Sequence, residues 1–589
     1  MKHFWRQVRV AQVPKSLLVA MFVAFVILVA RVVSTESPVM ASDEYAYFMG
    51  AKYAAQGQEL YRYDPAMQPI DNKLYRVLFD AWTLVSVERV ALVGRLFNVL
   101  VFVVASLLVF VLGNRVFDRR TATISSILYL LLPFSFYSTL LLPEVEFQAL
   151  VYAGVALALW AASRRSPWAV LLPALVSAAA YFAKPHAAAL VVGIAAFFMV
   201  SDLLARVDGR WAALKSGAVR GALYLLSTGA VVYLVRRLSG DADGGGGTGG
   251  MVSSFYAYYL QRLSSPAYLL GNAWSMLDYV VGHAWVLMLM FAPGCLVIAG
   301  ECWGVARSLA TGRSEAPLAD DALQRRRFAV LVALLGIAFL AMIGAFTNAA
   351  SQVSEFEKYR LHGRYLEPLL PLLLLFSVWG VYASRRLKVM SAALLVSVLM
   401  FCFYLRFQYR LYPWDYPDIF VFFTSGLKHW SLPGVNNWMM WLVVLAAVAF
   451  LICALRNRFA ARAYLVYLVL LMLGSHVQMA NWLRQSARDN RAMIEAGEML
   501  GECLLGAPPG TGLVLVDDRY GRSSFFLMQF ANLQHVRSIG KAADFAGELP
   551  PGVSWIIAPS DVHVEREALA RFEFGPQSLY RFDQAGACQ

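Results

Sequence analysis

Two adjacent carboxylates, Asp43 and Glu44, stand just past the first long apolar run, in the stretch Ala41-Ser42-Asp43-Glu44-Tyr45-Ala46-Tyr47-Phe48. No Lys or Arg follows them until Lys52. An uncompensated acid where membrane meets water is costly to hold, and is a functional candidate by default. Its chemistry would be proton acceptance, because a carboxylate within hydrogen-bond reach of a hydroxyl can take the proton as that oxygen attacks. The same pair could instead cap the amphipathic stretch that follows, since acids suit a helix N-terminus. The local pattern leaves both readings open.

Two other places put cations where topology does not ask for them. Lys184-Pro185-His186 forms the tip of a tight hairpin between the apolar runs Val170–Phe182 and Ala187–Val200. Arg360, His362, Gly363, Arg364 and Tyr365 run directly into the apolar stretch Leu366–Val381, with Glu355, Glu357 and Lys358 just before them. Each place has a bland reading and a chemical one. Lys184 is either a snorkelling side chain or an anion ligand. The Arg360–Arg364 cluster is either a basic collar on lipid headgroups or an anion site within the fold.

The elements that would position these residues are legible in composition and charge. The chain has 589 residues, 59% hydrophobic and only 15% charged, and its mean hydropathy is positive. That excludes a soluble domain and fits a polytopic α-helical membrane protein. The formal charge of +13 does not imply nucleic acid. Most Lys and Arg lie in short loops between apolar runs, where they report topology. Lys2, Arg6, Arg9 and Lys15 precede the run Ser16–Val33. The run is long for a cleaved signal peptide and many spans follow, so it reads as a retained first helix with its N-terminus in the cytoplasm. Counting onward gives about thirteen spans, with every short cytoplasmic loop basic and the C-terminus outside.

The expected outer loops are 34–89, 236–278, 347–365 and 406–437. The first is long, aromatic and broken by Pro65 and Pro69, which suggests short helices lying at the interface. The second holds Gly244–Gly247 with Gly249 and Gly250; no Gly-Lys-Ser/Thr follows, so it reads as a flexible linker and not a phosphate-cradling loop. Ser253–Leu270 is aromatic and amphipathic, and reads as another interfacial helix.

From about Asn481 the composition changes. An amphipathic helix over Asn481–Leu505, strands over Thr511–Asp517 and Val553–Ala558, a helix over Gly521–Ala531 and a hairpin over Phe572–Phe582 suggest a small α/β domain. The expected division is therefore 1–480 in the membrane and 481–589 outside it. His535 and His563 lack ligand-like spacing, so no metal is expected there. Cys503 and Cys588 are the thiols of this outer part, and an oxidising compartment would let them pair.

Asp43-Glu44 after the first span, a long interfacial first loop, Pro143-Glu144 beyond the third span, Lys184-Pro185-His186, and His362-Gly363-Arg364-Tyr365-Leu366 entering a late span together resemble the GT-C integral-membrane glycosyltransferases. Within them the chain is similar to the bacterial branch of the lipid A aminoarabinose transferase, to the protein O-mannosyltransferases and to the polyprenyl-phosphate-dependent arabinofuranosyltransferases. The resemblance implies a polyprenyl-phosphate sugar as donor, and a lipid, glycan or protein hydroxyl as acceptor, outside the cytoplasmic membrane. The enzyme would then be a hexosyl- or pentosyltransferase surrounded by membrane lipids, with no nucleic acid partner. By the same resemblance Asp43 takes the position of the catalytic aspartate and Glu44 that of the second acid. Lys184 and Arg364 fall where the donor phosphate is bound, and His186, His362 and Tyr365 extend that set. The Gly-rich loop is not part of the family's pattern.

The chemistry agrees with these types. The leaving group is a lipid phosphate, already a stable anion, so no general acid is required and positive charge on the phosphate is what helps. One base and one in-line displacement predict inversion; the paired carboxylates of retaining hydrolases sit across the substrate, whereas Asp43 and Glu44 are adjacent. A monophosphate donor calls for no cofactor and makes a metal less necessary. Two rival readings remain at this stage. A transporter would carry ionisable groups near mid-span on broken helices, and an O-antigen ligase or polymerase would use a polyprenyl-pyrophosphate donor.

Overall fold

A computed structural model describes residues 13–35, 44, 47, 73–86, 89–164, 166–205, 209–238, 265–311, 320–352, 358, 360–384, 386–408, 424–425, 434–435, 437–457, 459–503, 512–515, 536–539, 555–559, 568–574 and 577–581. Asp43, the Gly-rich stretch, residues 253–264 and 521–531, His535, His563 and Cys588 lie outside the described residues, and so does the pairing expected of Cys503.

The helices are α1 (Lys15–Ser34), α2 (Lys73–Thr83), α3 (Val90–Val116), α4 (Arg119–Leu130), α5 (Glu144–Ala162), α6 (Leu171–Ala183), α7 (Ala187–Ala205), α8 (Arg210–Leu238), α9 (Pro266–Thr311), α10 (Asp320–Ser351), α11 (Leu370–Ala383), α12 (Leu387–Phe407), α13 (Asn437–Leu455) and α14 (Ala460–Cys503). Among the described residues ten helices are long and apolar enough to cross a membrane. The bent pair Arg119–Leu130 and Pro133–Thr139 makes an eleventh when read as one span, and Pro167–Ala183 and Glu367–Ala383 are shorter apolar helices. Each span expected from the sequence therefore has a helical counterpart, and the chain is a multi-pass membrane protein. The bend of 58° has a local cause. Pro133 disfavours helix at the residue before it, so α4 ends at Leu130.

Contacts divide the chain into two units. One comprises Met1–Val29, Asn98–Thr139 and Pro143–Asn481; the other comprises Ala30–Phe97, Leu140–Leu142 and Trp482–Gln589.

In the first unit α9 packs against α10, α11 and α12. It is kinked at Phe291 (φ −121, ψ 24), two residues before Pro293. Proline has no N–H, which releases the carbonyl of Leu289, and a displaced turn releases that of Met290. Neither can be left bare in an apolar setting. The Tyr467 hydroxyl donates to the Leu289 carbonyl at 2.5 Å, and the Tyr464 hydroxyl to the Met290 carbonyl at 2.7 Å. The freed Gly294 N–H donates to Ser377 Oγ at 3.0 Å. A Cβ at Gly294 would lie 2.5 Å from that same oxygen, so only glycine allows the approach of α11.

In the second unit Glu44 is buried and accepts from the Leu141 N–H at 3.0 Å. The Tyr75 hydroxyl donates to the Leu142 carbonyl at 2.6 Å. Tyr75, Phe79 and Trp82 on α2 form an edge-on aromatic cluster that also packs Val90, Leu141 and Tyr47. Of the first loop's aromatic residues, Tyr75, Phe79 and Trp82 thus form a buried core with Leu141. Beyond the short antiparallel pair β1 (Thr424–Ser425) and β2 (Gly434–Val435) of the first unit, a five-stranded sheet, β3 (Gly512–Leu515), β4 (Val536–Ile539), β5 (Trp555–Pro559), β6 (Ala570–Phe574) and β7 (Gln577–Arg581), has the order β4-β3-β5-β7-β6. β3 runs parallel to β4 and β5, and the hairpin β6–β7 adds antiparallel to β5. β3, β5 and the hairpin lie where the sequence places them; β4 was not expected, as Val536–Ile539 is short and carries a charge. The helix expected to begin near Asn481 is instead the continuation of α14.

Candidate active site

One end of the first unit gathers the first turn of α5, the turn between α6 and α7, the last turns of α10, and the chain leading into α11. Lys184 stands where α6 ends, in extended backbone (φ −152, ψ 132). Pro185 follows, and a residue before proline is driven out of the helical region. The Lys184 carbonyl then accepts from the Ala187 N–H at 3.0 Å, starting α7 at once. Arg364 lies in a short 3-10 turn, Gly363–Tyr365, closed by the Leu366 N–H donating to the Gly363 carbonyl at 2.8 Å.

These two cations, 180 residues apart in the sequence by number, meet on one oxygen. Lys184 Nζ donates to Glu144 Oε1 at 2.7 Å, with side-chain exposures of 11% and 4%. Arg364 Nη1 lies 3.7 Å from the same oxygen. Glu144 opens α5 and shares its first turn with Glu146, where the helix dipole favours negative charge. One turn on, Gln148 Nε2 donates to Glu367 Oε2 at 3.1 Å, and both side chains are buried. Residues four apart share a helix face, so one face of α5 holds the Arg364 turn through Glu144 and its continuation through Gln148.

Around the ion pairs lies a set of near-parallel rings. His186 stacks on Tyr365 with centroids 4.2 Å apart, and His362 lies 5.6 Å from Tyr365 at an angle of 21°. Phe346 sets its edge against His362 and Tyr365. Lys184 Nζ and Arg364 Cζ are 5.9 and 5.4 Å from the centre of the Tyr365 ring, within range of a cation–π attraction. Burial holds the His186 imidazole well below its ordinary value, and the charges of Lys184, Arg364 and His362 add to the effect. His186 is therefore neutral here.

Of the residues singled out in the sequence, the fold brings together Lys184, His186, His362, Arg364 and Tyr365. Glu44 is buried in the second unit, and Asp43 lies outside the described residues. Sequence reasoning missed Glu144 as the cations' partner, and missed Gln148, Glu367 and His283 altogether. Their signal was present: each is a polar or ionisable residue at or within an apolar run, where such residues are scarce. Among the described residues no three His, Cys, Asp or Glu side chains gather as a metal ion would need.

No protein-family model matches the chain, and no curated protein sequence matches it. Among solved structures it is similar to ArnT from Cupriavidus metallidurans bound to undecaprenyl phosphate, at 13% identity over 96% of this chain and 98% of that one, with a TM-score of 0.50. It is also similar to the Archaeoglobus fulgidus oligosaccharyltransferase (13% identity, 92% and 68% covered, TM-score 0.48) and to the arabinosyltransferase EmbB from Mycobacterium smegmatis (13%, 82% and 41%, 0.41). The fold assignment stands on the first of these, matched from end to end. The chain thus has the fold of the GT-C integral-membrane glycosyltransferases.

Proposed function

We propose that the chain is an inverting glycosyltransferase. It moves a sugar from a polyprenyl-phosphate donor to an acceptor hydroxyl on a lipid, glycan or protein, at the outer face of the cytoplasmic membrane, with residues 481–589 outside. The observation that carries this reading is the convergence of Lys184 and Arg364 on Glu144 Oε1. A phosphate oxygen can take the same donors. Both cations also sit at an end of a short apolar helix, Pro167–Ala183 or Glu367–Ala383. Seventeen residues of helix cover roughly 25 Å, less than the ~30 Å of hydrocarbon in a bilayer. That favours a ligand whose head is an anion and whose tail stays in the lipid. The solved structure of similar fold that holds undecaprenyl phosphate points the same way.

In this reading Asp43 accepts the acceptor's proton as its oxygen attacks the anomeric carbon. The bond from that carbon to the phosphate oxygen breaks, its electron pair stays on the phosphate, and the polyprenyl phosphate leaves. The donor diester carries one negative charge and the leaving phosphate gains a second as the bond breaks. Lys184 and Arg364 therefore stabilise the transition state more than the ground state. Glu144 holds the two cations together before the donor arrives, so little reorganisation is needed. His186 and His362, stacked on Tyr365, keep the two turns in register.

The test is mass spectrometry of envelope lipids and glycans from cells with the gene, without it, and with the gene carrying Asp43→Asn. The reading expects one sugar modification to vanish on deletion and to stay absent with Asp43→Asn, while Glu44→Gln restores part of it. Full restoration by Asp43→Asn would refute Asp43 as the base.

A further inference from the structure

His283 lies within the apolar body of α9, fully buried. Both of its ring nitrogens are engaged. Nδ1 is 2.7 Å from the Tyr279 carbonyl, one turn back on the same helix. Nε2 is 2.9 Å from the backbone nitrogen of His362, 79 residues away. A carbonyl can only accept and a backbone N–H can only donate. Nδ1 therefore carries the proton, Nε2 is the acceptor, and the imidazole is neutral in a single tautomer.

The residue it holds begins the turn that carries Arg364. His362 leaves regular backbone (φ −92, ψ 62), and its carbonyl accepts from the Tyr365 N–H at 3.3 Å. A buried backbone N–H needs an acceptor, and His283 supplies one from another helix. The rings of the two histidines also lie parallel, at 10° and 6.4 Å. On the far side of the turn, Arg364 faces Glu144 at 3.7 Å.

We propose that His283 is a positioning residue. By accepting from the His362 N–H, it fixes where the 363–365 turn begins, and with it where the Arg364 guanidinium sits relative to Glu144 and Lys184. The role rests on the reading of Arg364 as a phosphate ligand. It differs from plain packing because it depends on one acceptor at one place. Displacing a binding group by about 1 Å can cost on the order of a hundred-fold in a well-aligned site.

Two near-isosteric replacements separate acceptor from filler. In His283→Gln the amide reaches about as far as Nε2 and can still accept from His362. In His283→Asn the shorter amide reaches about as far as Nδ1, so it can serve Tyr279 but not His362. The full-length protein in lipid nanodiscs is titrated with undecaprenyl phosphate, with thermal melts recorded alongside. Arg364→Lys is expected to bind at least about ten-fold more weakly than wild type. His283→Asn is expected to lose about ten-fold and His283→Gln to stay within about three-fold. The double variant His283→Asn with Arg364→Lys should bind no more weakly than Arg364→Lys alone, because both act through one guanidinium. If Arg364→Lys binds as wild type does, the phosphate reading itself fails. If Arg364→Lys is weak but Asn and Gln at position 283 behave alike, or the double variant shows additive losses, the positioning role is overturned and the phosphate reading stands. Should the Asn variant not fold, the Gln variant decides alone: retention within about three-fold supports the role, and a loss of about ten-fold overturns it.

Discussion

The two ends of the first unit use arginine in different ways. At one end Arg364 and Lys184 share the carboxylate of Glu144, beside the face of Tyr365. At the other end Arg220 pairs with Asp202 at 3.2 Å, and its second nitrogen donates to the carbonyls of Ala161, Arg164 and Ser166. Those carbonyls belong to the C-terminus of α5 and the residues after it, where a helix leaves acceptors without partners. Arg220 thus closes a helix end against fixed backbone. At the Glu144 end the two cations meet a carboxylate and an aromatic face, side chains that an incoming anion can share. Loop charge marks Lys184 and Arg364 as cations that topology does not ask for, but it does not say what any of the three cations meets. What marks the Arg220 end is the set of three fixed backbone carbonyls that hold the guanidinium beside its carboxylate.

The largest effect that would sharpen the contrast is on stability. Glu144→Leu leaves two mostly buried cations without their shared anion, and should cost about 3–5 kcal/mol. Asp202→Asn leaves Arg220 its three carbonyls and an amide oxygen that can still accept, and should cost less, about 1.5–3 kcal/mol. Chemical or thermal unfolding in detergent measures both, and equal losses would erase the distinction between the two ends.

Next comes function. Arg364→Lys keeps the charge but loses the planar fork that grips phosphate through two parallel bonds, and should lower transfer by about 10–100-fold. Lys184→Arg should be tolerated within a few-fold, since Lys acts as a point charge there. A headgroup collar would predict near-equal tolerance of both exchanges. Arg220→Lys should leave transfer unchanged and lower Tm, because an ammonium cannot reach Asp202 and three carbonyls together.

The smallest effect concerns pH. His186 is held below its ordinary value by burial and by the charges around it, so the unfolded chain binds its proton first. Stability from this group is full above about pH 6.5 and falls as pH drops below it, by about 1 kcal/mol between pH 6.5 and 5.5. His186→Phe should remove that part of the slope. An unchanged slope would mean that His186 protonates in place.

The spans were legible because apolar runs and basic loops each report membrane crossing, and the two signals agree in the sequence. The convergence of Lys184 and Arg364 was legible in part. Lys184 stands at a hairpin tip and Arg364 before a span, and an even alternation of spans puts both at one end. What joins them was not legible. Glu144 reads as the dipole partner of its own helix, and only the folded packing reveals that it faces two other turns. His283 reads as one polar residue in an apolar run; its partner is a backbone N–H, which carries no sequence signal. The Pro293 kink was equally hidden, since the tyrosines that satisfy it, Tyr464 and Tyr467, lie more than 170 residues on.

The most direct test of the central claim is the identity of the donor. Purified protein in proteoliposomes would be offered polyprenyl-phosphate sugars and the matching pyrophosphates, with release of the lipid carrier followed by mass spectrometry. The account predicts turnover with a monophosphate donor, lost in Asp43→Asn, strongly reduced in Arg364→Lys and kept in Arg220→Lys. Turnover with pyrophosphate donors alone, or an Arg364→Lys enzyme as active as wild type, would contradict it.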